Sequence, residues 1–223
     1  MAVVVPAYNE AAWIGDVIAT MPAFVDRIIV VDDASEDDTA LIARRTGVDV
    51  LETATNGGVG RAIARGYQRA LELGVDLVAV MAGDGQMDPA DLATLAEPVI
   101  RERADYAKGN RMVHADVRVM PTMRRLGTYV LSWLTSRATA LSIRDSQCGY
   151  TVANARALSA VELSRLWPRY GYPNDLLGRL ARAGMRVVEV PVRPVYRGAA
   201  SGLRPRHVLV MTLLIARAAW WRL

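Results

Sequence analysis

Short apolar runs alternate with longer segments of helical periodicity through the first hundred residues. The apolar runs predict four strands, at Ala2–Val5, Arg27–Asp32, Val48–Glu52 and Leu77–Met81. The segments between them predict helices over Glu10–Met21, from the cap residue Ser35 to Arg45, after Gly58 to Leu73, and onward from Pro89. Strands that alternate with helices in this way indicate a parallel sheet covered by helices on both faces. Such sheets bind their ligands at the carboxyl ends of the strands.

The second half of the chain shows a different pattern. Leu126–Ile143 has helical periodicity. Its apolar stripe comprises Leu126, Val130, Trp133, Leu134, Ala138 and Leu141. Arg186–Tyr196 alternates like a strand, and its two prolines favour an edge position. His207–Leu223 predicts an apolar helix ending in two tryptophans and an arginine, so we expect a main domain over 1–204 and a C-terminal amphipathic or apolar helix over 205–223.

The composition excludes several classes of protein. With 223 residues, 52% hydrophobic and 22% charged, the chain is long enough to bury a core and is neither disordered nor of low complexity. Its one cysteine, Cys148, excludes a disulfide framework and a cysteine-rich zinc site, and it fits a reducing cytoplasm. No apolar stretch reaches the ~20 residues of a membrane span. Met1 leads directly into the first strand, so we expect no signal peptide.

Charge is distributed unevenly along the chain. Residues 1–100 carry 6 basic and 16 acidic side chains, whereas residues 101–223 carry 21 basic and 7 acidic ones. This asymmetry predicts two kinds of partner, a metal ion or sugar hydroxyls for the acidic half and phosphates or an anionic surface for the basic half. The basic residues are scattered, without a recognition helix or an aromatic stacking platform, so we expect no nucleic-acid partner.

Three polar clusters in the acidic half are candidates for chemistry. Asp84 and Gln86 can supply oxygen ligands to Mg²⁺ or Mn²⁺, although Asp-Gly is also an ordinary turn sequence. Asp32 and Asp33 can accept hydrogen bonds from a base or a ribose, or they can favour the start of the next helix. Asn56-Gly57-Gly58 lacks the Walker lysine and the dinucleotide glycine spacing, so taken alone it is better interpreted as a tight turn.

Taken together, these clusters resemble the family 2 glycosyltransferases. The matching segments are VVVPAYNE at 3–10, VVDDASEDDT at 30–39, NGGVGRAIARGY at 56–67 and VMAGDGQMDP at 80–89. Three further segments, KGNRM at 108–112, DSQCGY at 145–150 and residues 170–196, resemble the polyprenyl-phosphate sugar synthases of the dolichyl-phosphate mannose synthase type. The resemblance covers nearly the whole chain. It implies the GT-A fold, a Rossmann-like α/β architecture with a mixed, mostly parallel sheet flanked by helices.

The resemblance implies roles for individual residues around the sugar donor. The donor-binding residues would be Pro6, Tyr8, Glu10, Asp32, Asp33, Asn56, Gly58, Asp84 and Arg204. Among these, Asp33, and less directly Asp32, would contact the base or the ribose, and the loop 196–204 would close over the diphosphate. Asp84 and Gln86 would hold Mg²⁺ or Mn²⁺. The metal motif of the family usually begins with an aspartate, and Ala82 occupies that position here.

The resemblance also implies an anionic acceptor. Arg111, with Arg124 or Arg125, would bind the acceptor phosphate, and Asp84, Arg111 and Arg125 would be the catalytic residues. The implied reaction moves a hexose from a nucleoside-diphosphate sugar, GDP-mannose or UDP-glucose, onto a polyprenyl phosphate with inversion. A phosphate is already anionic at neutral pH, so this reaction needs little or no general base.

Two alternatives stay open at this point. A family 2 transferase acting on a sugar hydroxyl, in polysaccharide or glycolipid assembly, would need a carboxylate base, and Asp145 and Asp175 are the candidates. An inert nucleotide-sugar-binding subunit is favoured only by Ala82.

The helices of the basic half predict a peripheral location at a membrane. The stripe of Leu126–Ile143 and the pair Trp220-Trp221 would lie at the bilayer surface, with the tryptophans at headgroup level. Core packing is the alternative for both helices. We expect attachment to the cytoplasmic face of the membrane.

Overall fold

Within the residues that the computed structural model describes, 1–196 and 205–221, seven strands form one sheet. They are β1 (Ala2–Ala7), β2 (Arg27–Asp32), β3 (Asp49–Glu52), β4 (Leu77–Val80), β5 (Tyr106–Asn110), β6 (Thr151–Asn154) and β7 (Val187–Pro191). Their order is β3-β2-β1-β4-β6-β5-β7. All neighbouring strands are parallel except β6, which is antiparallel to β4 and β5. The predicted α/β class is confirmed, and β7 occupies an edge as its prolines predict.

Eight α-helices in the described residues cover the sheet or pack beside it. They are α1 (Ile14–Ala19), α2 (Thr39–Arg45), α3 (Val59–Glu72), α4 (Leu92–Ile100), α5 (Thr122–Thr139), α6 (Ala155–Ala160), α7 (Tyr172–Arg182) and α8 (Pro205–Trp220). Short 3₁₀ helices occupy Pro89–Asp91, Ala115–Val119 and Leu163–Arg165. No helix in the described ranges combines the length and the apolar character that crossing a membrane requires.

The central strand β1 is apolar throughout because both of its faces are buried. Ala2 and Val4 lie in the core layer that contains α3, whereas Val3 and Val5 lie in the layer that contains α1 and α4. Each fully buried valine side chain contributes about 1.5–3 kcal/mol to stability. Gly66 lets α3 approach the sheet, since a Cβ atom there would lie 2.2 Å from Cγ1 of Val4.

Helix α8 packs against both α5 and α7. Its contact with α5 forms a third apolar cluster, separate from the two layers of the sheet. Leu131 and Ala138 of α5 meet Met211, Ile215 and Ala218 of α8 there. The helix predicted over 207–223 corresponds to α8, which begins at Pro205 and ends at Trp220, and residues 222–223 lie outside the described residues.

The helix cap predicted at Ser35 is wrong. Helix α2 begins at Thr39, and Oγ of Ser35 accepts a hydrogen bond from the backbone N–H of Asn9 at 2.9 Å. In return, the side-chain oxygen of Asn9 accepts the N–H of Glu36 at 2.8 Å. These contacts join the loop after β1 to the loop after β2, so a long-range interaction replaces the local cap.

Two other predicted helices have different boundaries. The helix predicted over 10–21 is confined to α1, because residues 11–13 form a turn. The helix predicted over 126–143 begins at 122 and ends at 139. It ends there because Ala140 adopts the left-handed conformation, with φ of 58°. The Ser136 hydroxyl then donates to the carbonyl of Ile143 and accepts the Ile143 N–H.

Candidate active site

The loops after β1, β2 and β4 meet at the carboxyl edge of the sheet. The backbone N–H of Asp33 donates to the carbonyl of Ala7 at 2.9 Å, and that of Gly83 donates to the carbonyl of Pro6 at 3.1 Å. These bonds extend the parallel pairing beyond the strands. They bring the predicted residues Pro6, Tyr8, Glu10, Asp33 and Asp84 to one edge, with Pro6 buried and Tyr8 exposed.

The carboxylate of Asp33 anchors the glycine loop before α3. It accepts the backbone N–H groups of Gly57 at 2.8 Å and Gly58 at 2.6 Å. The side-chain amide of Asn56 donates to the Asp33 carbonyl at 3.2 Å. Gly58 has φ of +92°, and a Cβ atom there would lie 2.6 Å from the carbonyl oxygen of Pro168, so this position requires glycine. The predicted donor residues Asn56 and Gly58 are thus held at the same edge as Asp33.

Asp32 differs from Asp33 in having an unused oxygen. The side chain is buried, and its Oδ2 accepts the N–H of Ser35 at 3.1 Å. Its Oδ1 is also buried and has no hydrogen-bond partner within the described chain. An unpaired buried acceptor is rare in proteins and calls for a donor. Asp32 therefore has an oxygen free to accept a ligand N–H at this edge of the sheet, whereas both oxygens of Asp33 already bind glycine N–H groups.

The turn after β4 presents Asp84 and Gln86 side by side. Oδ1 of Asp84 accepts the backbone N–H of Gln86 at 2.9 Å, which fixes the carboxylate in the turn. Gly85 has φ of +66°, which the turn requires. Ala82 lies at the start of this turn, and its N–H contacts the sulfur of Met87.

Negative charge accumulates around this turn. Burial, followed by the charges of Asp84 and Asp37, raises the pKa of Glu10 to about 7. Within the described residues no three acidic, histidine or cysteine side chains converge as a ready-made metal site. A carboxylate and an amide oxygen in a strongly negative environment nevertheless suit Mg²⁺ or Mn²⁺, which take their other oxygens from phosphates and water. The residues present therefore fit a divalent cation.

Arg111 follows β5 and is locked to the buried carboxylate of Asp145. Its Nε and Nη2 donate to the two oxygens of Asp145 at 2.8 and 3.0 Å, and its backbone N–H donates at 3.1 Å. Burial works against the charge of Arg111, but Asp145 outweighs it and raises the pKa of the guanidinium. Nε and Nη2 are thus occupied by Asp145, whereas Nη1 of Arg111 has no hydrogen bond to the described part of the chain. This arrangement is suited to presenting one fixed cationic donor to an anion.

Two residues that sequence reasoning missed support this pair, the half-buried Glu189 and the fully buried Lys108. Glu189 of β7 accepts the backbone N–H groups of Arg144 and Asp145 at 2.9 and 2.8 Å, and the side-chain amide of Asn110 at 2.7 Å. The ammonium group of Lys108 donates to the carbonyl of Cys148, and burial lowers the pKa of this lysine. Both residues lie inside motifs that carry the family resemblance, but only the three-dimensional pairing reveals their partners.

Arg124 and Arg125 lie in the first turn of α5. The guanidinium of Arg124 sits over the ring of Tyr196, 5.0 Å from its centroid. Arg125 is partly exposed, and its backbone N–H bonds to Pro121. Arg204, predicted to bind the donor, lies outside the described residues, as does the predicted closing loop beyond Tyr196.

Neither candidate base for a hydroxyl acceptor is available to a substrate. Asp145 is fully buried and bonded to Arg111. Asp175 is also fully buried, and it accepts bonds from the Trp167 N–H at 2.7 Å and from the side chains of Arg179 and Arg217. Both carboxylates therefore act as structural partners of arginines.

A sequence model described as glycosyl transferase family 2 matches residues 2–158. The chain belongs to this family. Its sheet order, with the acidic turn after β4 at the carboxyl edge, agrees with the GT-A fold of the prediction. The match covers β1 to β6 and α1 to α5, and therefore every predicted donor and metal residue except Arg204.

Named relatives come from bacteria and archaea. The chain is 32% identical over 203 residues to undecaprenyl-phosphate mannosyltransferase of Micrococcus luteus, which covers 87% of this chain and 83% of the relative. It is 28% identical over 212 residues to UDP-N-acetylglucosamine–dolichyl-phosphate N-acetylglucosaminyltransferase of Methanococcus voltae, and the alignment covers 86% of this chain and 84% of the relative. The fold is similar to that of glucosyl-3-phosphoglycerate synthase of Mycobacterium tuberculosis, solved with Mn²⁺, UDP and glucosyl-3-phosphoglycerate. The two structures superpose with a TM-score of 0.73 at 22% identity, and the superposition covers 98% of this chain and 79% of the synthase chain. These similarities confirm the GT-A fold of this glycosyltransferase.

Proposed function

We propose that this glycosyltransferase moves a hexose from a nucleoside-diphosphate sugar, GDP-mannose or UDP-glucose, to a polyprenyl phosphate with inversion. The observation that carries the proposal is the locked Arg111–Asp145 pair, together with Arg124 at the start of a helix with exposed apolar residues. Such a place suits a phosphate attached to an apolar chain. Two relatives whose names state transfer to undecaprenyl and dolichyl phosphate support it.

The donor half of the site lies at the carboxyl ends of β1, β2 and β4. The buried free oxygen of Asp32 is suited to accept an N–H of the base, and the loop that Asp33 anchors lies at the same edge of the sheet. Asp84 and Gln86 would hold Mg²⁺ or Mn²⁺ against the diphosphate. When bound, this cation stabilises the charge on the departing diphosphate.

The acceptor half of the site favours a phosphate over a hydroxyl. A hydroxyl needs a base to take its proton, and both candidate carboxylates, Asp145 and Asp175, are buried in bonds to arginines. A phosphate oxygen can attack the anomeric carbon without losing a proton. The new bond forms as the bond to the donor diphosphate breaks, so that a nucleoside diphosphate leaves and the configuration at the anomeric carbon inverts.

The apolar faces of α5 and α8 support action at a membrane surface. Exposed apolar side chains on these helices are Met123, Leu126, Tyr129, Val130, Trp133, Leu209, Leu213 and Trp220. Trp221 differs from Trp220, because it packs among the guanidinium groups of Arg179, Arg182 and Arg217. Arginines beside an apolar helix face fit anionic headgroups. We propose peripheral attachment at the cytoplasmic face.

The proposal is tested by incubating the protein with Mg²⁺ or Mn²⁺, a polyprenyl phosphate and one labelled donor at a time. GDP-mannose, UDP-glucose and UDP-N-acetylglucosamine are compared, and the label in the organic phase is counted. We expect one donor to give metal-dependent label in that phase, released by mild acid. Donor binding with no organic label from any donor would contradict the lipid-phosphate acceptor and favour the inert subunit or a hydroxyl acceptor.

A further inference from the structure

Tyr196 lies in the segment that follows β7 and passes beside Asn110, the last residue of β5. The parallel pairing of β5 and β7 ends at Asn110 and Pro191, and the N–H of Val192 then donates to the Asn110 carbonyl at 3.2 Å. Past this point Arg193 fixes the segment, donating from its backbone to Asp91 at 2.7 Å. The chain therefore reaches Tyr196 in a defined position.

A cavity joins Tyr196 to the acidic turn after β4. It has a volume of about 540 Å³, and its lining includes Gly85, Met87, Val119, Arg193 and Tyr196. Gly85 adjoins Asp84, the proposed cation ligand. Tyr196 therefore stands between the donor half of the site and the arginines of the acceptor half.

The side chain of Tyr196 has two unusual features. Its ring carries the guanidinium of Arg124 at 5.0 Å, a cation–π contact that restrains this arginine. Its hydroxyl is buried and has no hydrogen-bond partner within the described chain. A buried hydroxyl without a partner destabilises the protein, and such a group in a native structure calls for an explanation.

Arg111 lies within electrostatic reach of the same tyrosine. Burial disfavours the charge of Arg111, whereas Asp145, Cys148 and Tyr196 together raise the pKa of its guanidinium. The guanidinium of Arg124 and the hydroxyl of Tyr196 are thus donors joined by a ring contact, and the guanidinium of Arg111 lies within electrostatic reach of them. A monoester phosphate has three terminal oxygens to accept them.

We propose that Tyr196 is a binding residue for the acceptor phosphate, its hydroxyl donating to a phosphate oxygen while its ring holds Arg124 in place. This inference rests on the proposed function, since it assigns a ligand to the same acceptor site. It gives the unpaired hydroxyl a partner that arrives with the substrate. The arrangement favours acceptor binding at the expense of stability in the free protein.

The test compares wild type with Tyr196→Phe, which removes only the hydroxyl, and with Tyr196→Leu, which also removes the ring. Tyr170→Phe is the matched control, because Tyr170 is exposed and its ring stacks on His207 away from the cavity. Calorimetric titration with farnesyl phosphate gives acceptor affinity directly, and thermal unfolding gives Tm. Donor KM is measured alongside.

For Tyr196→Phe we expect the Kd for farnesyl phosphate to rise about tenfold, since a hydrogen bond to a charged group is lost. We expect Tm to rise by roughly 2–4 °C, because a buried unpaired hydroxyl is removed. Donor KM and the control stay unchanged. Tyr196→Leu should weaken acceptor binding further, through Arg124. Unchanged affinity in Tyr196→Phe would overturn the inference, as would wild type that binds no phosphate ligand.

A second acceptor separates this inference from the proposed function. Wild type is assayed for transfer to farnesyl phosphate and to 3-phosphoglycerate, whose phosphate is not attached to a lipid. Transfer only to 3-phosphoglycerate would contradict the lipid acceptor, while a Tyr196→Phe defect in its binding would still support a phosphate contact. Normal transfer to farnesyl phosphate by wild type and Tyr196→Phe alike would contradict the tyrosine assignment alone.

Discussion

The two halves of this glycosyltransferase use carboxylates in opposite ways. In residues 1–100, the two aspartates at the end of β2 bind backbone N–H groups, Asp32 that of Ser35 and Asp33 those of Gly57 and Gly58. In residues 101–221, the buried acids Asp105, Asp145 and Asp175 are each paired with arginines. The second half therefore neutralises these buried acids internally and keeps a surplus of positive charge that suits an anion. The first half, with 16 acidic and 6 basic side chains, keeps a surplus of negative charge that suits the proposed cation.

The largest expected effect lies in the acidic half. Asp84→Ala removes the proposed cation ligand, and we expect turnover to fall by about 10³-fold or more, because charge on the leaving diphosphate is no longer stabilised. Steady-state transfer measures this effect. Asp76→Ala is the matched control, since Asp76 is exposed at the opposite end of β4. If the Asp84→Ala variant turns over near the wild-type rate, the assignment of Asp84 as a cation ligand is wrong.

The corresponding change in the basic half should mainly affect stability. Asp145→Asn leaves Arg111 and Lys108 without their anionic partner, and we expect a loss of about 3–5 kcal/mol in the free energy of unfolding at neutral pH. Burial raises and Arg111 lowers the pKa of Asp145, with a net lowering. The contribution of this carboxylate is therefore present at neutral pH and is lost as the pH falls through the lowered value.

Denaturant unfolding at several pH values measures this difference, which should shrink toward acid. Glu162→Gln is the control, because Glu162 forms an exposed pair with Arg165 and should change stability by less than about 1 kcal/mol. An Asp145→Asn variant as stable as the control would show that the buried pair is not a structural support.

A third substitution separates the two substrates. Asp33→Asn replaces one of the two carboxylate oxygens, each of which accepts a glycine N–H, with an NH2 group that cannot accept a hydrogen bond. One of the two bonds that anchor the glycine loop is then lost. We expect donor KM to rise about tenfold while acceptor KM is unchanged. Asp38→Asn is the control, since Asp38 is exposed and makes no capping bond. Equal changes in both KM values would contradict the division of the site.

The smallest expected effect concerns the membrane. Trp133→Ser removes an exposed apolar side chain from α5, and we expect binding to anionic vesicles to weaken about fivefold. Flotation with the vesicles measures it. Phe24→Ser, which removes a comparably exposed apolar residue between α1 and β2, should have no effect. Equal loss in both variants would indicate non-specific hydrophobic adsorption.

The halves also differ in how far the sequence predicts them. Strands β1 to β4 are continuous apolar runs bounded by turn residues, so their pattern alone identifies them. Strand β5 has the sequence YAKGN, which includes Lys108. This lysine can be buried because its ammonium group donates a hydrogen bond to the carbonyl of Cys148, which is distant in sequence. Helix α7 buries Asn174 and Asp175, whose partners lie on α5, α8 and the loop before α7. No local pattern predicts a buried polar residue whose partner is far away in sequence.

Predictions of the site follow the same division. The clustering of Asp33, Asn56, Gly58 and Asp84 agrees with the motifs, because strand ends in a parallel sheet are brought together by the fold. The relative availability of Asp32 and Asp33 depends on hydrogen bonds that only coordinates reveal. The ion pair of Asp145 with Arg111 is likewise visible only in the three-dimensional structure, and it occupies a carboxylate that the sequence offers as a candidate base.

The most direct test of transfer to a lipid phosphate places two kinds of acceptor in one reaction. Wild-type protein receives a labelled nucleoside-diphosphate sugar, Mn²⁺, and equal concentrations of farnesyl phosphate and 3-phosphoglycerate, and the products are separated between organic and aqueous phases. We expect label in the organic phase as an acid-labile glycosyl phosphate. Label confined to an acid-stable aqueous glycoside would contradict it, because the acceptor would then be a hydroxyl.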